Sequence, residues 1–345
     1  MIIDAQHHAM PRSVFEKFHD PSLPPKRVFM NDNDFTFVPR LCLIEEQLAA
    51  LDEAGIDMAV LSMSQFGNLM GKEMCREINE GFADMAAKHP DRFVIAGCFP
   101  QDDPCAAVLE IEYQVRELGF PAITMLTSLS AEITLSNKEY MFPIYEKAAE
   151  LDIPVFLHPH LKPFGIETDC TINRTCGRGL DSAKAALRII YDIFPHFPEL
   201  KFILPHFGGA AFALKGRMMN FFEPPEGLGL PPRKSKYANV ACTPLELKEL
   251  GYDKAFNDLF DKLYFDGAGS AGWPIITEMA FKAARPDRLC FGSDYPYEIH
   301  EGRDFKYYLD TLDEIGLTKE QKDDFLGNNL ARLLKLKFYE AKSEG

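Results

Sequence analysis

The sequence predicts an α/β protein that folds as a (β/α)8 barrel, or TIM barrel. Short apolar runs, each long enough for one strand buried on both faces, alternate with stretches of helical periodicity. Such alternation indicates βα units and a parallel sheet. The 345 residues also accommodate one barrel, which typically needs about 250 residues. The eight strands are predicted near residues 2–6, 57–63, 93–98, 121–126, 153–158, 201–206, 262–266 and 288–293.

The stretches between these strands carry apolar stripes and recognisable helix ends. Pro104 opens the predicted helix 104–118 and Gly119 follows its last residue, while Gly55 follows the helix 43–54. The final helix begins with Thr318, and Gln321 stands three residues later, which forms a capping box. Helices are predicted over 43–54, 71–88, 104–118, 137–151, 180–194 and 318–336.

Two segments show neither the strand period nor the helix period. Residues 10–40 are rich in proline, and residues 223–236 are rich in proline and glycine. Each follows a strand with candidate site residues, so we expect both loops at the catalytic face, as lids or binding loops or as surface decoration. The sequence shows no internal repeat or interdomain linker. We therefore expect residues 1–345 to form a single barrel domain with two loop insertions.

Composition and charge exclude several classes of partner. The 37 Lys and Arg residues stand against 52 Asp and Glu residues, and no basic cluster tracks a phosphate backbone, so we expect no nucleic-acid partner. Neither a basic leader with an apolar stretch nor an apolar run of about 20 residues occurs, so neither a secretory signal nor a membrane span is expected. The eight scattered cysteines contain no Cys-x-x-Cys pair, which fits reduced thiols in a cytoplasmic protein.

Four predicted strands end in side chains that bind metals or transfer protons. In a parallel barrel the carboxyl ends of the strands lie at one face, where active sites form. We therefore expect these side chains to converge on one catalytic site. The four runs are Met1–His8, Ile153–His160, Lys201–Gly209 and Leu289–Pro296.

His158 and Asp294 are the first candidates for binding a divalent ion. Each has another reading, because a strand-end histidine is often structural and an aspartate in a turn often caps the next helix. His206 is a third ligand or a general acid or base beside the metal, unless it is a hydrogen-bonded core residue. Gly208 and Gly209 follow it and leave room for the close approach of a substrate.

The first strand offers two further candidates. We expect Gln6 and His8 to point together into the mouth of the barrel, with His7 structural or supporting the ligands. His8 is a good ligand, whereas the neutral amide oxygen of Gln6 is a weaker one. Gln6 either binds the metal, which makes the site more positive by one charge than a carboxylate would, or hydrogen-bonds to a metal-bound water.

Substrate contacts are predicted from residues that follow the same strands. Arg178 follows the fifth strand and Arg217 follows the sixth, and a guanidinium group matches a planar carboxylate. Most arginines are nevertheless solvated surface groups. His160 and Tyr297 are expected to line the pocket.

In their order along the chain these segments resemble the amidohydrolase-related (amidohydrolase 2) branch of the amidohydrolase superfamily. This branch includes aminocarboxymuconate semialdehyde decarboxylase and the resorcylate, carboxyvanillate and isoorotate decarboxylases. The resemblance extends from Ile3-Asp4 to the helix at Gly327–Leu334. Its most specific parts are His206-Phe-Gly-Gly and Phe291-Gly-Ser-Asp-Tyr-Pro.

The resemblance implies a TIM barrel of the metal-dependent hydrolase type with one divalent ion. A histidine-rich site favours Zn²⁺, and a mixed oxygen and nitrogen site that includes Gln6 would also suit Mn²⁺. By position it places metal ligands at His8, His158 and Asp294 and a catalytic histidine at His206. Family members usually carry His-x-His or Glu-x-His on the first strand, whereas this chain has Gln6-His7-His8. A homodimer or a higher homo-oligomer is also implied.

Three functions follow, each with a small anionic or cyclic molecule as substrate or ligand. The leading prediction is a metal-dependent carboxy-lyase acting on a small carboxylated ring or a ring-cleavage product, in which Asp294 or His206 handles the proton that replaces CO₂. The second is a hydrolase that uses metal-activated water to cleave, for example, a C–C bond of a cyclic or linear β-diketone. The third is a barrel retained for binding without catalysis.

Overall fold

A computed structural model describes residues 1–31, 33–130, 133–160, 169–222, 256–269 and 273–336. The strands in these residues are Ile3–His8 (β1), Lys26–Met30 (β2), Asn33–Phe37 (β3), Met58–Ser62 (β4), Phe93–Gly97 (β5), Ala122–Leu126 (β6), Val155–His158 (β7), Phe202–Leu204 (β8), Tyr264–Asp266 (β9) and Leu289–Cys290 (β10).

Eight of these strands form one parallel sheet that closes on itself. Their order is β1-β4-β5-β6-β7-β8-β9-β10, so each strand pairs with the next barrel strand along the chain. The residues after β10 return to β1, where Ala5 N donates to Phe291 O at 2.9 Å and His8 N donates to Tyr295 O at 2.8 Å. The predicted (β/α)8 barrel is confirmed.

Helices follow the barrel strands and begin with the predicted signals. The Asp103 side chain accepts a hydrogen bond from Ala106 N, and the capping box between Thr318 and Gln321 forms in both directions. The longer helices are Ile44–Ala54, Lys72–Lys88, Pro104–Arg116, Lys138–Glu150, Arg178–Arg188, Ala211–Phe222, Pro274–Ala283 and Gly302–Thr311. Shorter ones are Arg12–Phe15, Ser64–Gly67, Cys170–Ile172, Phe256–Phe260, Lys319–Asp323 and Asn329–Leu333. Among the described residues, no helix is long and apolar enough to cross a membrane.

The strands are apolar without alternation because both of their faces are buried. One set of side chains packs against the surrounding helices, as Leu61, Ile95 and Leu157 do. The alternate set packs together with Leu330 and Leu334 near the carboxyl terminus of the described chain and forms an apolar layer, here called the floor. The strand residues of the floor are Ile3, Ala5, Met58, Val60, Val94, Ala96, Ala122, Phe156, Ile203 and Cys290.

The segment 10–40, predicted as an irregular loop, contains regular structure. It forms the short helix Arg12–Phe15 and the antiparallel hairpin β2–β3. The hairpin escaped prediction because its two strands are only five residues long and lie in a proline-rich segment, so their alternation spans few residues. The other predicted loop, 223–236, lies outside the described residues.

Candidate metal centre and active-site cavity

Strand β1 carries a bulge that sets the direction of its polar side chains. Asp4 pairs with Ala59 and His7 pairs with Leu61, so β1 contains one more residue than β4 over this stretch. The buried Asp4 carboxylate stabilises the bulge, accepting from Gln6 N at 3.1 Å and from His7 Nδ1 at 2.9 Å. It also accepts from Ser293 N at 2.9 Å, which ties β1 to the turn after β10.

Asp294 lies in that turn, with its carboxylate against His8. Oδ1 of Asp294 is 3.0 Å from His8 Nε2, and Oδ2 is 3.4 Å from Arg178 Nη2. Burial alone would raise the pKa of Asp294, but the His8 hydrogen bond and the Arg178 charge hold that pKa below its usual range. Asp294 is therefore an ionised, fully buried carboxylate.

The two histidines beside Asp294 present the same ring nitrogen to a common point. His158 Nδ1 donates to Pro159 O at 2.8 Å, and His8 Nδ1 is 3.2 Å from Ser62 O. With each Nδ1 against the backbone, as is usual for metal-binding histidines, Nε2 is the nitrogen of each ring that could bind a metal, and in His8 it lies beside Asp294 Oδ1. Burial, with the neighbouring His8 and Arg178, lowers the pKa of His158 well below its usual value, so its ring is neutral.

His8, His158 and Asp294 fit a divalent metal ion. One potential ligand atom from each lies within 4.8 Å of the other two, and all three residues are buried. Two imidazoles and one carboxylate form a donor set that suits a divalent ion such as Zn²⁺ or Mn²⁺.

His206 stands beside this group in a tight turn after β8. Its φ is +56°, and its Nε2 accepts from Arg178 Nη2 at 2.9 Å. Burial and the Arg178 charge lower the pKa of His206 to about 4. Gly269 leaves room for the ring, because a Cβ at that position would lie 2.2 Å from His206 Nδ1. His206 is thus a neutral base whose Nε2 lies next to a cation.

A small cavity of about 200 Å³ opens beside His158 and Asp294. This volume is below the roughly 300–1,000 Å³ of sites for drug-sized ligands, so it suits a compact molecule. Tyr297 closes one side, with its ring 5.6 Å from that of His8 and its hydroxyl donating to Thr36 O at 3.1 Å. The lining consists of Thr36, Gln65, His158, Arg174, Thr175, Arg178, Asp294, Tyr297 and Glu298.

The hairpin β2–β3 forms part of the wall of this cavity. Arg174 Nε donates to Asp34 Oδ2 at 2.7 Å, and Arg27 donates to the same carboxylate at 2.7 and 2.9 Å. Asp34 therefore connects the hairpin to the segment that follows β7, and holds Thr36 over the cavity.

Two residues predicted to contact substrate lie apart from the cavity lining. Arg217 is exposed on the helix Ala211–Phe222. His160 is buried, and its Nδ1 is 2.9 Å from Ser128 O. By contrast, Arg178 and Tyr297 do line the cavity, and Gln6, His8, His158, His206 and Asp294 converge beside it.

Sequence reasoning missed Asp266, Gln65 and Glu298. Asp266 ends β9 in the same way that His158 ends β7, so the strand-end rule could have found it. Burial raises the pKa of Asp266 to about 8, although backbone N–H groups of Ala268 and His206 hydrogen-bond to it. Gln65 and Glu298 follow no such pattern and reach the cavity only through the fold.

The fold and this site define a metal-binding TIM barrel whose candidate ligands lie at the carboxyl ends of its strands. The model of the amidohydrolase family matches residues 3–336, so the chain belongs to the amidohydrolase family. The family predicted from the sequence is confirmed.

Named relatives of the chain include several decarboxylases. Gamma-resorcylate decarboxylase of Polaromonas sp. (strain JS666) is 25% identical over 331 residues, which cover 89% of this chain and 93% of the relative. The structure of 5-carboxyvanillate decarboxylase from Novosphingobium aromaticivorans, complexed with manganese and 4-hydroxy-3-methoxy-5-nitrobenzoic acid, has a TM-score of 0.76 at 21% identity and covers 97% of this chain and 96% of that one. The structure of dihydroxybenzoic acid decarboxylase from Polaromonas sp. JS666, with manganese and the inhibitor 2-nitroresorcinol, has a TM-score of 0.73 at 21% identity and covers 97% of each chain.

Proposed function

We propose that this protein is a metal-dependent carboxy-lyase that removes CO₂ from a small carboxylated aromatic ring. The observation that carries the proposal is the placement of Arg178, which lies between the neutral base His206 and the ionised carboxylate Asp294 at the edge of a one-ring cavity. The names of the relatives support the same reaction type.

The metal would be held by His8, His158 and Asp294, as the convergence of their ligand atoms supports. When bound, a divalent ion draws electron density from the substrate's carboxylate and from a neighbouring oxygen. Zn²⁺ suits the histidine-rich donor set, whereas Mn²⁺ occurs in the two structural neighbours. Metal analysis distinguishes these two ions.

Arg178 is proposed to orient the substrate. Its buried Nε has no hydrogen-bond partner among the described residues, so this donor remains available to an incoming carboxylate. Arginine pairs with carboxylates through two parallel hydrogen bonds, which fixes the plane of the bound group. The substrate's ring would then lie in the cavity against Tyr297.

His206 is proposed to deliver the proton that replaces CO₂. Decarboxylation breaks the bond between ring and carboxylate, releases CO₂ and places one proton on the ring carbon. Nε2 of His206 takes up that proton from solvent and passes it to the ring. Since the pKa of His206 is about 4, its protonated form is a strong acid and gives up the proton readily.

Hydrolysis is the second candidate function, because a neutral His206 beside the candidate metal site could also act as a general base. A neutral His206 Nε2 can accept a proton from attacking water, and Gln6 adds no negative charge to the site. The two reactions differ in their products. Decarboxylation releases CO₂, whereas hydrolysis incorporates one solvent oxygen into a product acid.

The experiment removes metal with a chelator, reloads the protein with Mn²⁺ or Zn²⁺, and presents hydroxybenzoates and cyclic β-diketones in ¹⁸O-water. CO₂ release that depends on metal supports the carboxy-lyase, and ¹⁸O in a product acid supports the hydrolase. Binding of neither ion favours the non-catalytic barrel. Arg178→Ala should lose turnover, and Arg303→Ala, at an exposed position, is the matched control.

Assembly and domain organisation remain predictions. We propose a homodimer or higher homo-oligomer, with residues 1–345 as a single domain. Light scattering of the purified protein and limited proteolysis followed by mass spectrometry measure these two properties. A monomeric mass would contradict the first, and a stable fragment that retains metal would contradict the second.

A further inference from the structure

The charged side chains that line the active-site cavity are not equally available to a ligand. Four of the described lining residues are charged, namely Arg174, Arg178, Asp294 and Glu298. Arg174 Nε donates to Asp34 Oδ2 at 2.7 Å, and its Nη2 donates to Asp34 O at 3.2 Å and to Thr36 Oγ1 at 3.1 Å. These donors of Arg174 are therefore already bound to the hairpin.

Glu298 differs from the other three. No hydrogen bond or ion pair joins its carboxylate to another residue in the described part of the chain. The charges of two basic residues, Arg178 and His300, act on it, but their nitrogen atoms bond elsewhere. Arg178 Nη2 donates to Asp294 Oδ2 at 3.4 Å, and His300 Nδ1 is 2.9 Å from Pro296 O. The oxygens of Glu298 are thus available to a molecule in the cavity.

The backbone fixes the position of Glu298. Its N donates to Asp294 O at 3.1 Å, and Tyr297 N donates to the same oxygen at 2.8 Å. The next residue, Ile299, is 2% exposed and packs in the core. The turn that carries the candidate ligand Asp294 therefore also holds Glu298 at the cavity, with a buried residue directly after it.

We propose that Glu298 is a specificity-determining residue, which accepts a hydrogen bond from a hydroxyl or amino group on the substrate's ring and excludes a ring with a second carboxylate. The inference rests on the proposed carboxy-lyase function and adds the substituents that the enzyme accepts and rejects. Arg178 binds the carboxylate that leaves as CO₂, and Glu298 contacts another substituent of the same ring.

Charge supports the exclusion of a second carboxylate. One carboxylate of the ring can pair with Arg178, whose Nε has no partner among the described residues. A second carboxylate would find the Nε and Nη2 donors of Arg174 bound to the hairpin, and it would meet a like charge at Glu298. Repulsion of a competing ligand is a common source of specificity.

A hydrogen-bond donor on the ring has the opposite effect. The cavity of about 200 Å³ fits one ring, so the substituents of that ring lie close to the lining. An ionised carboxylate only accepts hydrogen bonds, and those that it accepts from O–H or N–H groups are stronger than bonds between neutral groups. A hydroxyl or amino group that points toward Glu298 therefore gains a bond, whereas a ring without one leaves the exposed Glu298 to water.

The rival interpretation is that Glu298 is a solvated surface carboxylate, as exposed glutamates usually are. Glu298→Gln separates the two interpretations, because glutamine keeps the size of the side chain and removes its charge. Under our proposal the preference for a ring donor falls and the affinity for a second carboxylate rises. Under the rival neither changes. Glu278→Gln, which removes an exposed charge on the helix Pro274–Ala283, is the matched control.

The test measures the affinities of the metal-loaded proteins for 2-hydroxybenzoates from the change in ligand fluorescence on rapid mixing, before turnover. Partial burial and the Asp294 charge raise the pKa of Glu298, so the measurement is made at pH 8, where the carboxyl group is ionised. The panel contains the parent 2-hydroxybenzoate and its derivatives with one further hydroxyl, amino or carboxylate group at each ring position. Each affinity is divided by that of the parent in the same protein.

The two ratios should move in opposite directions in Glu298→Gln. We expect the ratio of the best hydroxyl or amino derivative to fall about tenfold, which is typical of losing a hydrogen bond to a charged group. The ratio of the dicarboxylates should rise about fivefold, the effect of removing one of two like charges about 4 Å apart in water. A residue that only supported the fold would change all affinities together and leave both ratios constant.

Each outcome decides the inference. Opposite changes of the two ratios in Glu298→Gln, with Glu278→Gln equal to the wild type, support it. Constant ratios overturn it, and so do the same changes in Glu278→Gln, because the overall charge of the protein would then explain them. A wild-type protein that binds the panel but releases no CO₂ from any member overturns the proposed function, which is a different result from constant ratios.

Discussion

The two ends of the barrel are made by the same strands but from opposite kinds of residue. At the floor, small and branched apolar side chains such as Val60 and Ile203 pack with Leu330 and enclose no ionisable group of the candidate site. At the catalytic face the strands end in His8, His158 and other polar groups, which are equally buried. Burial is therefore common to both ends, and only the need for polar partners distinguishes them.

The backbone is strained at both ends, since Asp152 at +49° and Lys335 at +52° lie before β7 and after Leu334 of the floor. Three non-glycine residues at the catalytic face have positive φ, namely His206 at +56°, Phe207 at +50° and Asp294 at +58°. The left-handed conformation costs an ordinary residue about 1–2 kcal/mol, and such strain concentrates at functional sites. The strain at His206 and Asp294 differs from that at the floor end in that it positions candidate site residues.

The largest expected effect is the loss of turnover in His206→Asn. Asparagine tolerates the left-handed backbone at this position, so the fold should persist while the proton-transferring nitrogen is lost. We expect kcat to fall about 100–10,000-fold, the usual contribution of general acid–base catalysis, with metal content unchanged. Steady-state kinetics and metal analysis measure the two quantities. Loss of metal would instead make His206 a ligand.

At the floor, Leu330→Ala should have the converse effect. Leu330 is 1% exposed, and truncating such a leucine lowers the free energy of unfolding by about 2–5 kcal/mol. Because Leu330 lies among floor residues, the metal affinity of the folded protein should stay within about twofold of wild type. Chemical denaturation and chelator competition give the two values. A parallel loss of metal affinity would show that the two ends are coupled.

The sequence predicted the barrel because its signal is local and repeated. Each strand is a continuous apolar run such as Ile153–Leu157, and each start falls within two residues of the prediction. The strand-end rule likewise brought His8, His158 and Asp294 together, because the carboxyl ends of parallel strands share one face. These inferences needed only the spacing of apolar residues along the chain and the positions of polar residues at the ends of the apolar runs.

What the sequence could not provide depends on distances between remote segments. Gln6 lies against Asp266, which is 260 positions away along the chain. The reach of Arg178 to His206, and the exposure of Arg217, depend on the rotation of their helices about the barrel. The spacing of apolar residues identifies the face of a helix that packs inward. It does not predict which arginine on that helix reaches the site.

A smaller effect should follow from neutralising Arg178. Burial is the main cause of the low pKa of His206, and the Arg178 charge is the second. Arg178→Met removes that charge and keeps an unbranched apolar stem, so the pKa of His206 should rise from about 4 toward its ordinary value. A histidine NMR titration of the metal-free protein measures the shift. An unchanged pKa would mean that burial alone causes the low pKa of His206.

The smallest effect is expected at Asp192, a carboxyl group that belongs to neither the site nor the floor. Burial raises its pKa to about 6, although Ser136 donates to it and Arg188 lies near. Because the folded pKa exceeds the unfolded value, Asp192 stabilises the protein most at low pH, and that contribution is lost as the pH rises from about 4 to about 6. The difference between wild type and Asp192→Asn should therefore change by about 1 kcal/mol over this window, since partial exposure screens the effect. Unfolding curves of both proteins across this window measure the difference. A constant difference would mean that burial does not raise the pKa of Asp192, and that burial without specific partners does not shift the pKa of a carboxyl group in this protein.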